Sequence, residues 1–281
     1  MIKLIITDLD GTLLNDEKTL SPIFWETEQA IHDKGILFSI ASGRQFHNLL
    51  EKFDRIKERT LFIAENGTYA SYQGKEIFVN ALGKAETVRL IEIGKTLKGT
   101  HMIVCGKNSA YTESADSRFL SEARKYYSRL KIVNDLFEVE DDVLKVTICD
   151  FSGAEKHRIH FEACEKEYQI ALATKIWLDF THLSANKGTA IAKVQKDLGI
   201  SFDETMVFGD YLNDLEMMKS AKHSYAMKNA HPQIVEVANF VTEFDNNNEG
   251  VERTVRKVCF GRSLARVSKR VTFYSGNCIA S

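Results

Sequence analysis

The sequence predicts an α/β protein: a Rossmann-like parallel-sheet core interrupted once by an inserted α+β domain. Three observations carry that expectation. Short apolar runs alternate with segments of helical spacing at both ends of the chain, as strand-helix-strand units require. From about Leu82 to Ser184 the pattern changes to strands joined by short turns, which implies antiparallel pairing. The first pattern then resumes at Lys187, so the expected division is 1–81 and 185–281 for the core and 82–184 for the insert.

The first strand is the run Lys3-Leu4-Ile5-Ile6-Thr7, and it delivers Asp8-Leu9-Asp10-Gly11-Thr12. Side chains alternate along an extended segment, so residues 8 and 10 project to one side, and Gly11 permits the sharp turn that follows. Two anions held so close repel each other, and the usual relief is a cation or a shared proton. Magnesium is the obvious candidate; an ordinary Asp-Gly turn is the bland alternative. Ser21-Pro22 reads as N-cap and first helical position, with Ile23, Phe24, Thr27, Ala30 and Ile31 on one face and Gly35 as the stop.

A second strand, Ile36 to Ala41, runs into Ser42-Gly43-Arg44. A helix from about Gln45 to Ile56 precedes a third strand, Thr60 to Ala64, and a hairpin around Gln73-Gly74-Lys75. The insert reads as a helix, two short strands, a helix, a strand near Val143 to Cys149, another helix and two final strands. Asn186-Lys187-Gly188 then opens an amphipathic helix with Ala190, Ile191, Val194 and Leu198 on one face and Gly199 as its end. Met206-Val207-Phe208 leads into Gly209-Asp210-Tyr211-Leu212-Asn213-Asp214, followed by a helix containing Leu215, Met217 and Met218 and a fifth strand before Ala226.

Composition narrows the function classes. A length of 281 residues suits about two domains, and 44% hydrophobic residues is ordinary for a globular protein. No apolar stretch approaches the roughly 20 residues of a membrane-spanning helix, and no signal-peptide pattern is evident, so a cytoplasmic location and no membrane partner are expected. A formal net charge of −2 gives no overall basic field for nucleic acid. The five cysteines, Cys105, Cys149, Cys164, Cys259 and Cys278, are odd in number and lack C-x-x-C pairing, which fits free buried thiols. His157 and His160 lie three apart on the expected helix and read as a surface pair.

In a parallel α/β sheet the loops beyond the carboxyl ends of the strands converge on one crevice. Gathered there would be the Asp8/Asp10 pair, the Ser42 hydroxyl, the Lys187 cation and the acids Asp210 and Asp214, the groups that phosphoryl transfer requires. These motifs, in this order, resemble the haloacid dehalogenase superfamily of phosphohydrolases, and within it the Cof-like hydrolases with a large α/β cap of the C2B type. The flanking segments Glu65-Asn66-Gly67, Ala226-Met227-Lys228-Asn229-Ala230 and Glu249-Gly250-Val251 share the resemblance, although Lys228 stands where the family has Gly.

The resemblance implies a magnesium-dependent phosphoric monoester hydrolase working through an aspartyl-phosphate. Asp8 would be the nucleophile, already ionised at neutral pH. Magnesium would be held by Asp8, Asp210 and the backbone carbonyl of Asp10, with Asp214 acting through water. The carboxylate of Asp10, left free, would protonate the leaving alkoxide and later take a proton from water. Ser42 would donate to a phosphoryl oxygen, Lys187 would neutralise developing charge, Asn213 would orient these groups, and the backbone at Leu9 and Gly43 would add contacts. Arg44 would reach the substrate or form a surface ion pair. The insert would be a cap that closes over the crevice and reads the leaving group, with a small phosphorylated metabolite such as a sugar phosphate as partner.

A phosphomutase on the same fold, or a regulator that binds magnesium and a phospho-ligand without turnover, are the alternatives. The segment Gly261 to Ser281 carries Arg262, Arg266, Lys269 and Arg270 with no acid. It reads as a basic tail, or as an added strand or subunit contact through Val271-Thr272-Phe273-Tyr274, and the chain as a monomer or homodimer.

Overall fold

A computed structural model describes residues 1–261. The chain begins β1 (Leu4–Thr7), α1 (Pro22–Asp33), β2 (Leu37–Ala41), α2 (Phe46–Lys52), β3 (Thr60–Ala64), β4 (Tyr69–Tyr72), β5 (Lys75–Val79). Next come α3 (Lys84–Thr96), β6 (His101–Gly106), β7 (Ala110–Thr112), α4 (Ser117–Ala123), β8 (Leu130–Ile132), β9 (Val143–Cys149), β10 (Tyr168–Thr174) and β11 (Trp177–His182). It continues through α5 (Lys187–Leu198), β12 (Thr205–Gly209), α6 (Leu215–Met218), β13 (His223–Ala226), α7 (Pro232–Val237), β14 (Phe240–Val241) and α8 (Gly250–Phe260).

Two sheets result. The first has eight strands in the order β14-β13-β12-β1-β2-β3-β4-β5, parallel from β14 to β3 and antiparallel through the β4/β5 hairpin. The second has six, β10-β11-β9-β6-β7-β8, and contains only strands between residues 101 and 182. Its pairs are antiparallel except β7 with β8, which run parallel because α4 lies between them as a crossover.

Period-two alternation in β1 decides how the first sheet is covered. Ile5 faces a cluster with Phe24 of α1, Leu49 of α2 and Val251 and Val255 of α8, whereas Leu4 and Ile6 face Ala190, Ile191 and Val194 of α5 and Met217 of α6. Each fully buried Ile or Leu of this kind contributes about 1.5–3 kcal/mol relative to exposure. The helix ends follow their sequence signals. The Ser21 hydroxyl accepts from Ile23 N ahead of Pro22, Asn186 accepts from Thr189 N at 2.8 Å, and Gly199 closes α5 at φ 63°.

Several expectations need correction. The helix expected from Gln45 to Ile56 stops at Lys52, because Phe53 turns out of helical geometry (φ −112°, ψ 30°), and a 3-10 turn Asp54–Ile56 follows. The insert's third helix is a 3-10 run, Glu155–Cys164, which buries His157, Phe161 and Cys164. His157 is not on the surface: its Nε2 lies 2.7 Å from Asp150 Oδ2, while His160 is exposed. Strands β8 and β14, three and two residues long, are too short to register as alternation. Cys105, Cys149 and Cys164 are buried free thiols and Cys259 is half-buried. Cys278, the arginines and lysine of the basic tail, and the candidate strand Val271-Thr272-Phe273-Tyr274 lie outside the described residues. No helix among the described residues is long and apolar enough to cross a membrane.

Candidate active site

The crevice opens where β1 and β12 end side by side. Asp8 N donates to Phe208 O at 2.9 Å, carrying the ladder one residue past β1 and setting the Asp8 carboxylate beside the loop after β12. Gly11 then turns at φ 89°, and a Cβ there would lie 2.5 Å from Asp210 Oδ2, so only glycine allows this approach. The turn brings the Thr12 hydroxyl onto Asp210 Oδ1 at 2.7 Å. After β12, Asp214 folds back and its Oδ2 accepts from Asp210 N (2.9 Å) and Tyr211 N (3.2 Å). A Cβ at Gly209 would occupy that space, 2.6 Å from Asp214 Oδ2.

Lys187 enters from the other side. The Asn186 cap fixes the start of α5, and Gly188 lets the helix approach the backbone of Glu216 on α6, where a Cβ would lie 2.6 Å from the carbonyl oxygen. Lys187 is thereby fully buried, and its Nζ donates to Asp8 Oδ1 at 2.5 Å and to Asp214 Oδ1 at 2.7 Å. One ammonium thus bridges two carboxylates, with Asp210 beside them. Burial pushes Asp8 up to about 8 against the opposing pull of Lys187, with Asp214 and Asp210 adding to the rise. Asp210 is pushed up to about 6, mainly by burial and also by Asp214 and Asp10, while Thr12 and Lys187 oppose. Burial works against the charge on Lys187, but Asp214 and Asp8 outweigh it and keep the ammonium protonated.

Single oxygens from Asp8, Asp210 and Asp214 lie within 4.8 Å of one another. Hard carboxylate donors at this spacing, three acids to one ammonium, fit a divalent cation that prefers oxygen. The carboxylate of Asp10 stands outside this group, and its partners are cations. Arg44 grips it in a fork, Nε to Oδ2 and Nη2 to Oδ1 both at 2.7 Å, and Lys18 Nζ lies 3.2 Å from Oδ1. Burial raises Asp10, but Arg44 and Lys18 outweigh it and hold the carboxyl below its usual value.

Ser42 is buried at the end of β2, its N donating to Ile63 O at 2.8 Å and its Oγ accepting from Arg44 N at 3.3 Å. Gly43 lies against the Asn66 side chain, where a Cβ would be 2.9 Å from Oδ1, and Asn213 Nδ2 donates to that same oxygen at 3.0 Å. The Leu9 side chain belongs to the core, so only its backbone faces the crevice chemistry. Lys228 does not adopt a positive φ, so glycine is not required there, and the next residue, Asn229, donates to Gly11 O at 2.8 Å. Thr12, Lys18 and Asn66 are site residues that the motif reading passed over. Thr12 and Asn66 stand inside quoted motifs, whereas nothing near Lys18 in the sequence signals that its loop turns back on Asp10.

A parallel α/β core whose strand ends gather a buried acid-lysine-acid cluster defines a hydrolase of the phosphoryl-transfer kind. The model of the haloacid dehalogenase-like hydrolases matches residues 5–255, and the chain belongs to that family as a phosphatase. It is 34% identical over 261 residues to the 5-amino-6-(5-phospho-D-ribitylamino)uracil phosphatase YbjI of Escherichia coli, covering 92% of this chain and 96% of the relative. A phosphatase of Bacillus subtilis named for the same compound, YcsE, is 27% identical over 91% of this chain and 95% of its own. A solved structure from Eubacterium rectale superposes with a TM-score of 0.84 at 26% identity, covering 91% of this chain and 98% of that one.

Proposed function

We propose that the chain hydrolyses phosphomonoesters of small metabolites with magnesium, through an aspartyl-phosphate on Asp8. The observation that carries this reading is the convergence of Asp8, Asp210 and Asp214, their oxygens within 4.8 Å of one another, with Lys187 paired to the first and last. Asp8, Asp210 and Asp214 would hold the cation, with the backbone carbonyl of Asp10 as a further oxygen; bound there, it supplies charge neutralisation for an incoming phosphoryl group. Asp8 attacks phosphorus with its free oxygen while Lys187 holds the other; because burial raises Asp8 to about 8 even beside Lys187, the ionised nucleophile expected at neutral pH would need the cation as well. Ser42 and the backbone after Asp8 contact the phosphoryl oxygens, and Asn213, braced by Asn66, orients the group.

Asp10 has two tasks that require opposite protonation states. The Arg44 fork and Lys18 favour the ionised form, which takes a proton from the water that hydrolyses the intermediate. Protonating the leaving alkoxide in the first step requires that bound substrate loosen that fork. Residues 82–184 form the cap in this reading, and residues 1–81 with 185–281 the catalytic core. The relatives make 5-amino-6-(5-phospho-D-ribitylamino)uracil the first substrate to try, followed by sugar phosphates. The test is phosphate release from that panel with magnesium and with chelator. Magnesium-dependent release supports the reading; no release from any ester in either condition overturns it.

A further inference from the structure

The insert meets the core through a buried ion cluster that the chemistry above leaves unused. The ammonium of Lys145, on β9, lies 3.0 Å from Glu65 Oε2 in the core and 3.1 Å from Asp179 Oδ2 on β11. Thr147 Oγ1 donates to Asp179 Oδ1 at 2.6 Å and fixes the half that belongs to the insert. Both Lys145 and Glu65 are buried, unlike the Lys107–Glu76 pair that also joins insert to core, whose side chains are 25% and 45% exposed. A buried pair of this kind resists loss of either member, because the remaining charge is left without water.

The core half of the cluster sits on a strained loop. Glu65, Asn66 and Gly67 follow one another at φ 48°, 55° and 91°, and the first two are residues that need outside support to stay in the left-handed region. This loop touches four catalytic elements. Glu65 N donates to Arg44 O at 3.1 Å, Asn66 N donates to Ser42 O at 3.0 Å, and Asn66 Oδ1 accepts from Asn213. Gly67 lies against the peptide linking Asn186 to Lys187, where a Cβ would be 2.3 Å from Asn186 O.

We propose that Lys145 is a positioning residue: paired with Glu65 when the insert rests on the core, it holds loop 65–67 in its left-handed course and thereby fixes Ser42, Asn213 and Lys187. Seating of the insert and the geometry of the crevice are then coupled through one ion pair, so that a core without its insert in place has a loosened site. Lys145 does not touch the substrate in this account. The activity part of the test rests on the phosphatase reading, and the exchange part does not.

The experiment compares Lys145→Met, Glu65→Gln and the double variant with wild type, and uses Lys107→Met as a control at the same seam. Hydrogen exchange at the Glu65 and Asn66 amides should be at least about tenfold faster in each of the three, with amides of β9 and β11 unchanged. With an aryl phosphate and a sugar phosphate, kcat should fall about tenfold or more by the same factor for both, KM moving by less than about threefold. The double variant should be no worse than the poorer single variant, and Lys107→Met should stay within about twofold of wild type. Unchanged exchange at Glu65 and Asn66, losses that differ between the two leaving groups, or additive losses in the double variant overturn the proposal. Should Lys145→Met fail to fold, Glu65→Gln gives the same readings. A wild-type protein that releases no phosphate sinks the phosphatase reading alone, since the exchange measurement still decides this one.

Discussion

Replacing Lys187 by Met isolates the contribution of the one cation at the centre of the site. Lys187 and Asp214 are fully buried and Asp8 nearly so, with the ammonium 2.5 and 2.7 Å from the two carboxylates. Removing one partner of a buried pair costs about 3–5 kcal/mol, and here two carboxylates are stranded at once, so the upper part of that range applies. The cost depends on pH. Asp8 already stands raised to about 8, above its unfolded value, and losing Lys187 removes the group that pulls it down. A carboxyl raised in the folded state binds protons there more tightly than in the unfolded chain, so stability falls as pH climbs from about 4 toward the folded value. The variant should therefore differ from wild type by several kcal/mol at pH 8 and by much less at pH 5.5. The measurement is urea unfolding at both pH values in chelator; at the larger loss the melting temperature should drop by roughly 10 °C. Added magnesium should restore part of the stability and none of the turnover. A loss below about 1 kcal/mol at pH 8, or equal losses at both pH values, would show that Lys187 does not neutralise these acids.

Asp10→Asn should slow an alkyl phosphate about tenfold more than an aryl phosphate, whose leaving group needs little protonation; equal losses measured by steady-state kinetics would remove Asp10 from the acid role. Arg44→Met frees the Asp10 carboxyl from the fork that holds it low, so the alkaline limb of the kcat/KM profile, which reports loss of the protonated acid, should move to higher pH. A limb that stays in place would mean that Arg44 does not govern Asp10. Glu252, 2% exposed and pushed up to about 7 by burial, should lose stability as pH rises from about 4.5 through 7. Glu252→Gln does not titrate and should be more stable than wild type at pH 8 by up to about 3 kcal/mol, with little difference at pH 5; thermal melts at the two pH values check the sign.

The residues legible in the sequence are those whose role is set by neighbours in the chain. Asp8 could be placed because the buried run before it is a strand and Gly11 after it must turn, and Lys187 because Asn186 caps a helix whose apolar face is plain. What escaped was decided by contacts between distant segments. Asp10 and Arg44 are 34 residues apart, and only the folded chain brings the guanidinium onto the acid. His157 reads as a surface residue because the sequence does not reveal that Asp150 turns back onto it, and Lys145 looks like any lysine in a strand until Glu65 is brought against it from 80 residues away. The same division runs through the chemistry. Local motifs specify which groups are present, while long-range pairing fixes their protonation and aim. Two chains with identical motifs but different partners for Asp10 would therefore differ in how readily they protonate a poor leaving group, and the Arg44 fork is the feature of this chain on which that difference turns.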